Sequence, residues 1–124
     1  MAEHKPQSAR EAILMFYFAD RLKAELHLAS RLLAAVKSME GLERDGANQL
    51  FMEFLKGLDA ELNLGQAMIS DPDMIRLRTV LTGLLGMVNA NMLDDLQEHL
   101  TWMITSMATY AQRGMEYLVK EKLL

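Results

Sequence analysis

Three histidines are the residues of this sequence best suited to bind a metal ion or to transfer a proton: His4, His27 and His99. A carboxylate-bridged di-iron bundle needs two Glu-x-x-His pairs and two further inward glutamates. No histidine here follows a glutamate by three residues. Asp95 precedes His99 by four residues, so both would lie on one face of a helix. We therefore predict neither a metal site nor a cofactor, and keep a carboxylate–histidine site at Glu25, Asp95 and His99 as the least favoured alternative.

Nucleophile patterns are missing as well. The chain has no cysteine, which excludes a Cys nucleophile, thiolate metal ligands and a disulfide framework. Its serines have no Gly-x-Ser-x-Gly context, and there is no Gly-x-x-x-x-Gly-Lys loop to hold a phosphate. The sequence therefore predicts that the protein is not an enzyme.

Four segments carry apolar residues at the alternating three- and four-residue spacing of an amphipathic helix. They cover about residues 8–39, 47–69, 72–88 and 92–122. The breaks between them are a polar, glycine-containing stretch, a Ser-Asp-Pro-Asp turn and an Asn-Ala-Asn turn. Four such helices with short connections predict an all-α, antiparallel four-helix bundle. We assign residues 8–124 to this single domain and residues 1–7 to a flexible tail.

The ends of the predicted helices carry capping residues. Ser8, with a glutamate three residues later, matches the capping-box pattern. Ser70 or Asp71 is expected to cap the third helix because Pro72 suits the first helical position. Asn91 is expected to cap the fourth helix.

The predicted core-facing seam of the first helix contains one charged residue, Glu25. The seam consists of Met15, Phe18, Leu22, Glu25, Ala29, Leu32, Val36 and Met39. A buried carboxylate needs a partner or its pKa rises, so we expect Glu25 either near the edge of the bundle or paired with an arginine such as Arg76 or Arg78. Gly83 and Gly86 are interpreted as points where another helix or a ligand approaches closely, and Gly114 as a bend or a thin point in the packing.

Composition excludes several classes of protein. The chain has 124 residues, 51% of them hydrophobic, and a net charge of −4, which fits one small domain with a core. Because it has no run of Lys and Arg, we predict no nucleic-acid binding. Its longest apolar run, residues 13–19, is far below the ~20 residues of a membrane span. The polar N-terminus is no signal peptide, so we expect a cytoplasmic protein.

Two apolar features exceed what one core needs. The run from Ile13 to Phe18 is apolar around a whole turn of helix, so Phe16 and Tyr17 are expected to be exposed or covered by the tail, the core or a partner. Trp102 lies off the predicted seam of the fourth helix, either half-buried on the flank or at an interaction hot spot. Eleven methionines suit core filling and adaptable binding surfaces alike. We predict a protein-binding role.

Five short segments resemble a known family. They are residues 8–17, 47–50, 61–63, 88–91 and 94–95. Residues 8–17 resemble the opening of the first helix in the flagellin-export chaperone (FliS) family, and the others are similar to its second helix and to its turn between the third and fourth helices. The chain differs from that family in having no aromatic residue in its tail and no Asp-Ala-Trp near its end.

The resemblance implies a cytosolic chaperone that binds the C-terminal helical part of new flagellin and prevents its assembly before export. It implies partner-binding roles for Ile13, Phe16 and Tyr17, to which we add Trp102. An alternative is a self-associating structural or regulatory bundle, in which the surplus apolar surface forms a homodimer. The metal-binding bundle is the third alternative.

Overall fold

The computed structural model describes residues 5–69 and 71–123, without the side chains of residues 68 and 73. It contains four helices: α1 (Ala9–Lys37), α2 (Gly41–Met68), α3 (Pro72–Asn89) and α4 (Leu96–Lys120). The described residues contain no strand, and the helices pack as a bundle, so the predicted all-α fold is confirmed. Residues 1–4 of the predicted flexible tail lie outside the described residues, and Pro6 is buried.

The start of α1 follows from its cap. Ser8 has an extended backbone and its hydroxyl accepts a hydrogen bond from the backbone N–H of Glu11 at 3.1 Å. The Glu11 carboxylate in turn accepts one from the backbone N–H of Gln7 at 3.3 Å. These bonds occupy donors that the first turn of a helix leaves unpaired, and they confirm the predicted cap.

The predicted seam of α1 is wrong at two positions. The buried residues are Ala12, Met15, Phe18, Ala19, Leu22, Leu26, Ala29, Leu33 and Val36. Leu26 and Leu33 replace Glu25 and Leu32, because the prediction followed a strict seven-residue repeat. A straight helix with 3.6 residues per turn drifts by about 20° per heptad from that repeat. Glu25 therefore lies beside the core and not inside it.

Two predicted helix starts are also wrong. Helix α2 begins at Gly41, six residues before the predicted start, because residues 38–40 with Gly41 (φ +60°) complete the connection from α1. Helix α4 begins at Leu96 and not at residue 92. Asn91 lies just after α3 and has φ +59°. The backbone N–H of the next residue, Met92, donates to the Met87 carbonyl at 2.8 Å and closes the end of α3. Asparagine tolerates this left-handed position, so it terminates one helix and does not cap the next.

Helices α1 and α4 pack against each other more extensively than any other pair. A Cβ atom on Gly114 would lie 2.6 Å from the Ala12 carbonyl oxygen and 3.2 Å from the Phe16 Cβ. The thin point predicted at Gly114 is thus a close approach of the two backbones. Further along, the Gln97 amide donates to the Ser30 hydroxyl at 3.3 Å, which shows that α1 and α4 run antiparallel.

Gly83 and Gly86 have a different environment. Both are exposed, and a Cβ atom on either would meet nothing within 4 Å. The prediction that another helix of the bundle approaches them is therefore wrong. Approach by a ligand stays a prediction.

Candidate partner-binding surface

The four residues predicted to bind a partner do not lie on one surface. Ile13 and Tyr17 are each 54% exposed and lie four residues apart on the outward side of α1. Phe16 and Trp102 are both half-buried against the core. Only the first two therefore share an open face.

Phe16 belongs to the contact between α1 and α4. Its backbone N and its Cβ lie 3.0 and 3.2 Å from the position of a Cβ on Gly114. A residue at such a close helix contact contributes to folding, and its ring has correspondingly little surface free for a partner.

Trp102 lies on the side of α4 that faces α3. The guanidinium carbon of Arg76 lies 5.5 Å from the centroid of the Trp102 ring, within the range of a cation–π contact. The predicted half-buried position on the flank is confirmed. Any partner that touched Trp102 would bind at the α3–α4 side and not at Ile13.

Exposed large apolar side chains lie on α1 and on the neighbouring α2. They are Ile13, Tyr17 and Leu28 of α1 and Leu64 of α2, and we call this surface the α1–α2 face. An ion pair shows that the two helices meet at this face, since Arg21 donates to Glu61. Arg21 follows Tyr17 by four residues, and Glu61 precedes Leu64 by three. Sequence reasoning missed Leu64, because its position beside α1 has no local signal in the sequence.

A charged cluster lies in the middle of this face. Arg21 donates to Glu61 Oε1 at 3.0 Å, to Glu25 Oε1 at 3.4 Å and to the Tyr17 hydroxyl at 3.4 Å. The predicted position of Glu25 near the edge of the bundle is confirmed, and its partner is an arginine, but that arginine is Arg21 and not Arg76 or Arg78. The helix periodicity explains the error, since it turns Glu25 away from the core and towards α2.

Burial raises the pKa of Glu25, and hydrogen bonding and charge repulsion from Glu61 raise it further, while Arg21 lowers it. The hydrogen bond to Glu61 raises the pKa of Arg21, which therefore stays a cation. The cluster thus consists of two carboxyl groups that compete for one guanidinium. It joins α1 to α2.

The third sequence hypothesis, a metal site, is not assembled in the described part of the chain. Residues 5–69 and 71–123 contain no group of three His, Asp or Glu side chains placed to hold a metal ion. Glu25 lies beside Glu61 of α2, whereas Asp95 is exposed just before α4 and His99 is exposed on it. His4 lies outside the described residues.

A buried polar contact links α3 to α4. The Tyr110 hydroxyl donates to the carboxylate of Asp71, which precedes Pro72 at the start of α3. Both side chains are buried, and a buried polar group is stable only when it is hydrogen-bonded. This contact fixes the start of α3, whose other predicted cap, Ser70, lies outside the described residues.

The core has no room for a ligand at its centre. A void of about 10 Å³ lies between Leu22, Leu58 and Met103, the volume of a single water molecule. Small-molecule pockets are more than tenfold larger.

No protein-family model, curated protein or solved structure matches this chain. None of the helices in residues 5–69 and 71–123 combines the length and hydrophobicity that a membrane crossing requires.

Proposed function

We propose that the protein binds an amphipathic helix of a partner protein on its α1–α2 face and so keeps the apolar side of that helix covered. The observation that carries the proposal is this face itself, where Ile13 and Tyr17 are each 54% and Leu64 is 51% exposed. Single exposed apolar residues are ordinary, but several of them on two neighbouring helices favour a protein interaction site.

The shape of the surface suits a helix. Ile13 and Tyr17 follow one ridge of α1, and Leu64 lies on the neighbouring ridge of α2. An amphipathic helix of a partner can place its apolar side chains, which are spaced by three, four and seven residues, between two such ridges. The occupied surface then resembles the packing of a fifth helix against the bundle.

The client that best fits the whole proposal is a helical segment of an exported protein such as flagellin, held in the cytoplasm until export. The likeness of residues 8–17 to the opening helix of the flagellin-export chaperones supports this choice. Such a client exposes an assembly helix before export, and the α1–α2 face offers that helix an apolar cover. The role is that of a chaperone or adaptor, without catalysis.

The test compares three versions of the protein in pull-downs from lysate of the source cells. Wild type should recover a helical export substrate near one-to-one. The variant Ile13→Asp with Tyr17→Asp should recover less than about a tenth as much, because charge in an apolar hot spot removes its binding energy. Ile75→Asp is the matched control, since Ile75 is 53% exposed on α3.

Equal recovery by the double variant and by Ile75→Asp would contradict the α1–α2 face as the binding site. Recovery of the protein alone would favour the self-associating bundle. In that case light scattering should show a dimer that Ile13→Asp with Tyr17→Asp converts to a monomer.

A further inference from the structure

The four helices form two pairs that the chain connects at only one end of the bundle. The α1–α2 connection, residues 38–40, and the α3–α4 connection, residues 90–95, both lie at this end. Their proximity is shown by Lys37 Nζ, at the end of α1, which lies 3.2 Å from Asp94 Oδ1, just before α4. Helices α2 and α3 therefore form a hairpin whose own turn, at the opposite end, is held against α1 and α4 by noncovalent contacts alone.

The packing of the helices follows the same division. The contact between α1 and α4 is more extensive than the α1–α2 and α3–α4 contacts taken together. Among the described residues, α3 touches the α1–α4 pair only through α4, and that contact is the smallest in the bundle. The void of about 10 Å³ lies on this boundary, lined by residues of all four helices. Sparse packing marks the place where a protein opens most easily.

Polar contacts hold the hairpin together more firmly than they hold it to α1. Within the hairpin, Arg78 of α3 donates to both carboxylate oxygens of Asp59 at 3.0 and 3.4 Å, and to the side-chain oxygen of Asn63 at 3.0 Å. Across the boundary, Arg21 donates to Glu61 at an exposed site, where an ion pair contributes little to stability. The hairpin is therefore suited to move as one unit.

One buried contact holds the free end of the hairpin, and two residues at the other end are suited to act as pivots. The Tyr110 hydroxyl of α4 donates to the carboxylate of Asp71, in the turn before α3. At the connected end, Gly41 (φ +60°) and Asn91 (φ +59°) adopt left-handed backbone conformations. Hinges consist of a few such connecting residues, which absorb the change in backbone angles.

We propose that the α2–α3 hairpin opens as one unit, pivoting at residues 38–41 and 90–95, while α1 and α4 stay paired. The open form exposes apolar side chains that the closed form buries, so it is the minor form. Because α1 and α2 belong to different halves, opening also divides the α1–α2 face and releases a partner bound across it. That release rests on the proposed function, whereas the opening itself does not.

Native-state hydrogen exchange of the full chain, with no partner present, tests the opening. Detached from the core, α2 and α3 lose the packing that supplies most of the stability of a helix, so their amides exchange when the hairpin opens. Amides in the middle of α2 and α3 should share one protection factor. That factor should be at least about tenfold lower than the protection in the middle of α1 and α4.

Two crosslinks distinguish opening of the hairpin from unfolding of the whole chain. The chain has no cysteine, so a short bis-maleimide can join Arg21→Cys to Glu61→Cys across the boundary. The matched control joins Asp59→Cys to Arg78→Cys within the hairpin, and each crosslink replaces one ion pair. The first crosslink should remove the difference in protection between the two pairs of helices, and the second should keep it. Circular dichroism checks that both proteins retain their helicity.

Both crosslinks should raise protection throughout the chain, because a closed loop costs the unfolded state entropy. The readout is therefore the difference between helices. Equal protection in all four helices of the wild type would overturn the proposal. So would low protection in α3 alone, or a difference that survives the crosslink across the boundary. Since no partner is present, these outcomes leave the proposed function standing, and a failed pull-down leaves the opening standing.

Discussion

The two sides of α1 differ in what covers their aromatic residues. On the side towards α4, Phe16 packs where Gly114 brings the two backbones together. On the outward side, the next residue, Tyr17, is 54% exposed, with its ring edge-on to that of Phe18 and its hydroxyl accepting from Arg21. Adjacent residues of one apolar run therefore serve different purposes: one holds the bundle together, and the other is available to a partner.

The largest expected effect comes from placing the same charge on each side. Phe16→Asp should lower the free energy of unfolding by about 2–3 kcal/mol, because it puts a carboxylate into a packed helix contact. Tyr17→Asp should change it by less than about 0.5 kcal/mol, as expected for an exposed site. Both changes carry the same cost in helix propensity. The difference between the two free energies of unfolding, measured by urea denaturation, therefore reports the contribution of side-chain packing at Phe16. Similar losses in the two variants would contradict the distinction between the sides.

The next largest change in stability is expected when Gly114 and Gly83 are each replaced by alanine. Gly114→Ala should destabilise the protein by about 2 kcal/mol, since its Cβ meets the backbone oxygen of Ala12 and no rotamer change can relieve that overlap. Gly83→Ala should stabilise the protein by about 0.5–1 kcal/mol, because the helix gains propensity and the site is open. Thermal unfolding of both variants checks the signs. A stabilising Gly114→Ala would show that α1 and α4 are not in close contact.

The smallest effect concerns Glu25 and depends on pH. Its pKa is raised in the folded state above the ordinary value of 4.5, so its contribution to stability is fully present below pH 4.5 and is lost as the pH rises through the folded-state pKa. Glu25→Gln should therefore stabilise the protein at pH 7 by about 0.2–0.5 kcal/mol, the size of other like-charge contacts. At pH 4 the two proteins should unfold alike. A destabilised Glu25→Gln at pH 7 would mean that attraction to Arg21 outweighs repulsion from Glu61.

The periodicity of the sequence was enough to predict four helices and an all-α bundle, because the amphipathic pattern repeats over many turns. The periodicity did not determine which residues lie at the edge of the buried side of each helix. Glu25 and Leu26 are both compatible with the pattern near the middle of α1, and only the accumulated drift of a straight helix selects Leu26. Helix starts were harder still, since Asn91 is equally suited to cap a helix and to end one.

The binding surface could be predicted only in part, for a related reason. Ile13 and Tyr17 follow from an apolar run too wide for one core. The contribution of α2 required knowing which side of α2 faces α1, and the ion pair of Arg21 with Glu61, forty residues apart, has no local signal in the sequence. Phe16 was assigned to the same surface because the sequence does not show that Gly114 lies opposite it.

Site-specific photo-crosslinking in the source cells tests the α1–α2 face as a docking site most directly. A photoreactive amino acid replaces Ile13 in one strain and Ile75 in another, two positions with 54% and 53% exposure. A crosslink from position 13 to a helical segment of one client, with none from position 75, is the predicted result. Equal crosslinking from both positions, or a client crosslink from position 75 alone, would contradict it.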